Sequence, residues 1–429
     1  MNPGSSEPFP GEGRSLNAAR EEVIQALQQL KCRTGQNNIE SVGLKDALGR
    51  VSAATVVATD PIPGFRASIM DGYALGQADQ PQLGDHWRLV GCSGAGRPFT
   101  EHLATGEAIR IMTGAAIPAG SAWVIPQELT QVSDVCQQSE AVLTLVKQAS
   151  SNPWIRPADE EVKAGDVVVE SGLRLTPARL GLAASCGFAE LAVTRKPRIG
   201  LLISGDELIL PGAPRPAGAI WESNGTLLEL LLSRLGYELS DRRVVGDRPQ
   251  ELRSALLELA LACDVVVSTG GVSVGDSDWI RSLIAELGDV KFWKLFLKPG
   301  RPFAFGSIGD QVPFFGLPGN PVAAAITALQ LLWPALQQLE GIREPESPPR
   351  LRVQLANALK RQPGRPELAR ARLVITEQGA AQARIEGSQA SSRLGSLLDA
   401  DLLLEIPADA GDLPPGSHLW AQLLRLPIF

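Results

Sequence analysis

The sequence predicts a multidomain α/β plus β protein: a doubly wound α/β domain, an N-terminal linker domain carrying an inserted β-domain, and a C-terminal β-domain. Three observations lead there. From residue 198 to about 341, apolar strands alternate with helices, the pattern of a parallel sheet covered on both faces. Residues 61–150 and 351–429 instead show short apolar runs broken by Gly and Pro, the mark of small β-domains. At 429 residues the chain exceeds a single ordinary core, and roughly three or four units are expected.

Composition narrows the class. With 44% hydrophobic and 20% charged residues the chain is neither disordered nor fibrous. No apolar run reaches the roughly 18–20 residues of a membrane span, and the N-terminus is polar where a signal peptide would be basic and then apolar. A cytoplasmic protein without membrane attachment is expected. A net charge of −7 argues against nucleic acid as a partner. The five cysteines, Cys32, Cys92, Cys136, Cys186 and Cys263, form no C-x-x-C pair and are expected as buried thiols. His86, His102 and His418 stand at no ligand spacing, so any metal should be held by carboxylates.

Taken in order, residues 1–14 are rich in Gly, Pro, Ser and Glu and predict a disordered tail. A linker domain is expected over 15–60 and 151–195. It opens with an amphipathic helix over 16–30, where Val23, Leu27 and Leu30 recur at helical spacing behind Ser15 as N-cap, and it includes a helix near 177–184 with Pro177 in its first turn. The inserted β-domain, 61–150, has strands near 87–90, 108–112, 122–125 and 141–146. The α/β domain, 196–343, reads as strand 199–203, helix 224–235, strand 239–245, helix 249–262, strand 265–268, helix 279–287, strands 290–297, 302–306 and 312–315, and a helix from 321 to about 339. A Pro-rich linker, 344–350, leads into the C-terminal β-domain, 350–429.

Open α/β sheets bind ligands beyond the carboxyl ends of their strands, so the loops there are the places to look. After the first strand, Ser204-Gly205-Asp206-Glu207 combines a glycine turn with two carboxylates; Glu207 suits a divalent cation, and the same pair would equally serve to cap the next segment. After the third, the loop from Thr269-Gly270-Gly271 through Ser273, Gly275 and Asp278 is dense in glycines, hydroxyls and backbone amides, and suits phosphate. It matches neither a Walker A loop nor the G-x-G-x-x-G spacing. Lys294 and Lys298 flank an apolar strand at an even spacing that predicts one common face, with Pro299-Gly300-Arg301 adding a third cation. Such cations either point to solvent or receive an oxyanion. Finally, Pro318-Gly319-Asn320-Pro321 ends a strand and opens a helix, with Asn320 as N-cap.

These four segments, in this order, closely resemble the MoeA family of molybdopterin molybdenumtransferases and the related gephyrin E domain. Met70-Asp71-Gly72-Tyr73-Ala74 and Ile111-Met112-Thr113-Gly114-Ala115 are similar to two further signature segments of that family, so the resemblance covers nearly the whole chain. It implies an enzyme that inserts molybdate into adenylyl-molybdopterin (molybdopterin-AMP) with magnesium-dependent release of AMP. The substrate would come from an upstream molybdopterin adenylyltransferase. It also implies a homodimer in which Asp71 and Thr113 act on the partner's α/β cleft. By position, the family's functional acids fall on Asp71, Glu207, Asp247 and Asp278 and its lysines on Lys294 and Lys298. Glu207, Asp247 and Asp278 would hold Mg2+, while Lys294, Lys298, Arg370 and Ser392 would meet phosphate or molybdate.

The chain departs from the family where Arg370-Ala371 replaces an Arg-Gly pair and Asp159-Glu160-Glu161 replaces Gly-Glu-Asp. Two rivals are a non-catalytic gephyrin-like scaffold, which the retained acids and lysines disfavour, and the adenylyltransferase itself, which the chain length and flanking domains disfavour.

Overall fold

The structure is a computed structural model that describes residues 13–30, 38–133, 141–271 and 279–424. The chain divides into two compact units. One comprises Thr55–Ser171 and Pro177–Leu191, and the other holds the rest, including Ala192–Phe429.

In the first unit a six-stranded sheet has the order Trp123–Pro126, Gly72–Leu75, Glu107–Ile111, His86–Ser93, Val142–Leu145, Thr130–Ser133. Tyr73, Leu75, Trp87, Ala108, Ile125 and Leu143 make the core on one face, and Ala74, Ile109, Ile111 and Val124 on the other. Helix α2, Pro177–Ser185, belongs to this unit.

The second unit is built on another six-stranded sheet, ordered Leu239–Val245, Ile199–Ser204, Val265–Thr269, Val312–Leu317, Pro302–Ile308, Gly288–Lys294. The first four strands run parallel, Pro302–Ile308 runs against them, and Gly288–Lys294 pairs antiparallel with Pro302–Ile308. Strict alternation drives both faces. Ile199, Leu201, Ile203, Val265, Val267, Phe303, Phe305 and Phe315 pack with α1 (Leu16–Gln29), α3 (Asn224–Arg234) and the helices α6 (Pro321–Thr327) and α7 (Trp333–Glu340). Leu202, Val266, Ala304 and Phe314 pack with α4 (Pro249–Ala262) and α5 (Trp279–Leu287). Ser15 caps α1 as expected, accepting from the Ala18 amide. Phe292, Phe303, Phe305 and Phe315 stack with centroids 5.1–6.5 Å apart.

A π-helical stretch, Ala328–Leu332, joins α6 to α7. The helix Pro321–Glu340 meets the length and composition of a membrane span, which corrects the expectation that no apolar run reaches that length; 94% of its most apolar 18-residue window is buried inside the protein, which makes it a core helix. The C-terminal strands Arg350–Leu355, Ala381–Arg384, Glu367–Ile375, Leu402–Ile406 and His418–Leu423 close into a five-stranded barrel around Val353, Ala369, Leu404 and Ala421.

Two further expectations need correction. The strand expected over 290–297 ends at Lys294, because Leu295, Phe296 and Leu297 are all buried rather than alternating, so the chain leaves the sheet edge and turns inward. Of the cysteines, Cys263 is a buried thiol but Cys92 is exposed and Cys186 half-buried; Cys32 and Cys136 lie outside the described residues.

Candidate active site

The parallel strands Ile199–Ser204, Leu239–Val245, Val265–Thr269 and Val312–Leu317 all end on one side of the sheet, and the loops that follow them meet in a cleft of about 730 Å3. The order reverses at Ile199–Ser204, whose chain successor lies on one side and Val265–Thr269 on the other, so this is the topological switch point where α/β sheets bind ligands.

Each loop brings distinct chemistry. Ser204, Gly205 and Glu207 come from the first, Asp247 from the second, Gly270 and Gly271 from the third, and Pro318, Gly319 and Asn320 from the fourth. Lys298, Pro299 and Arg301 form one wall; Ser392, with Gln389 and Arg365, forms the barrel's side. All of these except Arg365 and Gln389 were expected from the sequence or its resemblance.

The acidic end is internally braced. Asp206 does not cap the segment after it; its Oδ1 accepts the Asp247 amide at 3.0 Å, locking the first two loops together. Burial, and then the nearby Asp206 and Glu207 carboxylates, push the Asp247 carboxyl above its ordinary value. A hard dication would relieve that repulsion, and Glu207 and Asp247 both carry oxygens of the kind it takes. No cluster of three His, Cys, Asp or Glu side chains at metal-holding distance occurs among the described residues. Asp278, with Ser273 and Gly275, lies outside them.

The glycine loop is packed tightly. Gly270 has φ +88°, and a Cβ there would stand 2.3 Å from the Ser204 carbonyl oxygen. Gly270→Ala is therefore expected to destabilise the protein by about 1–3 kcal/mol, the cost of a held left-handed backbone, and to weaken AMP binding; urea unfolding and calorimetry measure the two. Beneath the loop, the Ser268 hydroxyl is buried with no hydrogen-bond partner among the described residues.

Several expected residues depart from their expected place or role. Thr269 does not line the cleft: its hydroxyl donates to Pro318 O at 3.1 Å and accepts from Asn224 Nδ2 at 2.9 Å. Asn320 stands at the N-cap of α6 but makes no capping bond, because its side chain donates to Ser391 Oγ at 3.0 Å. Lys294 is not on the cleft wall and shares no face with Lys298, since the strand between them ends at Lys294. Arg370 is buried on the outward side of its barrel strand, alternating with Ala369 and Ala371 of the barrel core, and there it donates to Ser396 Oγ and Ala390 O. It braces the 389–392 segment from behind instead of facing ligand, and burial lowers its pKa.

Three residues had no sequence signal. Asn224 also donates to Gly319 O at 2.7 Å, so it ties the third loop to the fourth. Glu222, buried, caps α3 through the Gly225 amide and pairs with Arg242. Glu367, on the barrel, holds Lys298. Their roles depend on partners brought together only by folding.

In the other unit, Asp71 directly precedes the strand Gly72–Leu75 and Thr113 follows the adjacent strand Glu107–Ile111. Asp71 Oδ1 accepts both the Thr113 amide and hydroxyl at 2.8 Å. The amide bond, then the hydroxyl bond, hold the exposed Asp71 carboxyl below its ordinary value, so these two signature segments form one fixed constellation.

Comparison with known proteins extends the likeness over the chain. Residues 14–187 match the MoeA N-terminal region (domain I and II), 200–338 a probable molybdopterin binding domain, and 352–424 the MoeA C-terminal region (domain IV). The molybdopterin molybdenumtransferase of Haemophilus influenzae is 35% identical over 403 residues, covering 94% of this chain and 96% of that protein. Gephyrin of Dictyostelium discoideum is 28% identical over an alignment of 462 positions, gaps included, that covers 96% of this chain and 63% of gephyrin. The crystal structure of a molybdopterin biosynthesis MoeA protein from Pyrococcus horikoshii superposes with a TM-score of 0.76 at 25% identity, covering 96% and 99% of the two chains.

Proposed function

The chain belongs to the MoeA family, and from that premise we propose that its cleft inserts molybdenum from molybdate into adenylyl-molybdopterin and releases AMP. The enzyme is a transferase of molybdenum cofactor biosynthesis. The observation that carries the finer reading is the polarity of the cleft, which has a carboxylate end at Glu207 and Asp247 and a cationic wall at Lys298, Arg301 and Arg365.

Arg301 and Lys298 suit the phosphates of the substrate, with the amides of the Gly270–Gly271 turn adding uncharged donors. Glu207 and Asp247 would hold Mg2+, with Asp278 as a third candidate. Bound there, the ion would supply Lewis-acid polarisation of the phosphoanhydride. Asp206 keeps Asp247 aimed, and Ser392 offers a hydroxyl from the barrel side. In a homodimer, the fixed Asp71–Thr113 constellation of the partner would complete the site. An upstream adenylyltransferase would deliver the substrate, and the reaction would run in the cytoplasm.

Purified protein mixed with molybdopterin-AMP, magnesium and molybdate should form AMP and molybdenum cofactor together, both dependent on molybdate. Binding without turnover would favour the gephyrin-like scaffold; ATP-dependent formation of molybdopterin-AMP would favour an adenylyltransferase.

A further inference from the structure

The cationic wall contains a counter-charge that the reading above does not use. Lys298 Nζ lies 3.1 Å from each oxygen of Glu367. The Glu367 side chain is only 6% exposed, whereas that of Lys298 is 49% exposed and lines the cleft. The backbone fixes the pair as well: the Lys298 amide donates to Pro366 O and the Leu368 amide to Lys298 O, both at 2.8 Å. Glu367 is ion-paired with Lys298, and the buried Arg370 guanidinium also feels its charge.

We propose that Glu367 is a positioning residue that keeps the Lys298 ammonium at the cleft wall and cancels most of its net charge. The inference rests on reading the cleft as the site of an anionic substrate. A carboxylate this deep cannot be left unpaired without a large desolvation cost, so Lys298 cannot swing fully onto an incoming anion. Lys298 offers its remaining N–H donors in a fixed direction, and the long-range attraction comes from Arg301 and Arg365. Attraction felt equally by substrate, product and transition state raises affinity without speeding turnover. Glu367 therefore keeps AMP from being held too tightly while leaving an oriented donor for the reacting group.

The test is Glu367→Gln, which keeps the shape and removes the charge. Isothermal titration with AMP and with molybdate should show binding tightened by about 3- to 10-fold, the scale of one unbalanced charge at a half-exposed site. The turnover number should fall by about 10-fold, the low end for loss of a placed group. Unchanged affinity, or affinity and turnover weakened in parallel, would overturn the inference. Failure of the wild-type protein to bind either anion would overturn the cleft reading and this inference with it. Should Glu367→Gln not fold alone, thermal melting of Lys298→Met and of Lys298→Met/Glu367→Gln decides the matter. The single variant should lose several degrees by stranding a buried carboxylate, and the double variant should regain most of them. A double variant no more stable than the single one would show that the two side chains are not coupled.

Discussion

Glu207→Ala should retain the fold and lose catalysis. The side chain is exposed on a loop, so its removal should change stability by no more than about 0.5 kcal/mol. Turnover should fall at least about 100-fold, the usual result of deleting one group that stabilises charge developing in a transition state. AMP release measured beside a thermal melt separates the two effects. Magnesium titration should show weaker activation in the variant, and turnover at the wild-type rate would remove Glu207 from the metal set.

The second large effect falls at the opposite end of the same strands. Asp264 is fully buried, and it receives hydrogen bonds from the Arg198 amide at 2.8 Å, the Arg198 guanidinium at 3.0 Å and Arg195 at 3.0 Å. It binds the start of Val265–Thr269 to the residues leading into Ile199–Ser204. Asp264→Ala should cost about 1–3 kcal/mol, because the Arg198 amide would be left without its acceptor and two partly exposed arginines would lose their partner. Urea unfolding would register the loss, and the variant's affinity for AMP should be unchanged because the site lies beyond the other strand ends.

The pH dependence of that contribution has a definite sign. Burial alone would raise the Asp264 carboxyl, but the bonds from Arg198 and Arg195 outweigh it and the net shift is downward. A carboxyl depressed in the folded state binds fewer protons than in the unfolded chain. Its stabilisation is therefore complete above the ordinary value near about 3.9 and is lost as pH falls through the lower folded value. The gap between wild type and Asp264→Ala should be constant from neutral pH down to roughly 5 and shrink below about 4.

Periodicity made the α/β body legible. The helix Pro249–Ala262 and the strand Leu239–Val245 have the ends read from sequence, because Pro249 starts the first turn and the polar Gly246-Asp247 stops the strand. The same reasoning failed at Lys294, where a run of apolar residues was taken as alternating strand although all three after Lys294 turn inward. Loops after strand ends could be found by topology alone, which placed Glu207, Gly270 and Gly319 at the cleft without knowledge of their neighbours. Asn224 and Glu367 could not be found that way. The partners of Asn224 lie 45 and 95 residues along the chain and that of Glu367 lies 69 away, so nothing local distinguishes them from ordinary surface polar residues. Arg370 shows the reverse error: its position matched a motif, but although its strand turns it away from the barrel core, Ser396 and Ala390 cover it and take its donors before it can reach the cleft.

The outermost parallel strand, Leu239–Val245, leaves one line of backbone amides and carbonyls without a neighbouring strand. Such a line invites a foreign strand to add on and start polymerisation. Here Asp241, Arg242 and Arg243 sit in the middle of that line, with Arg242 paired to Glu222 and Glu229 and Arg243 to Asp241 and Glu258. An intruding chain would have to displace this double row of ion pairs, while the closed barrel offers no such line at all. The protein can thus keep an open sheet at its centre, with the crevice that openness creates, and resist clumping at the concentrations at which it folds.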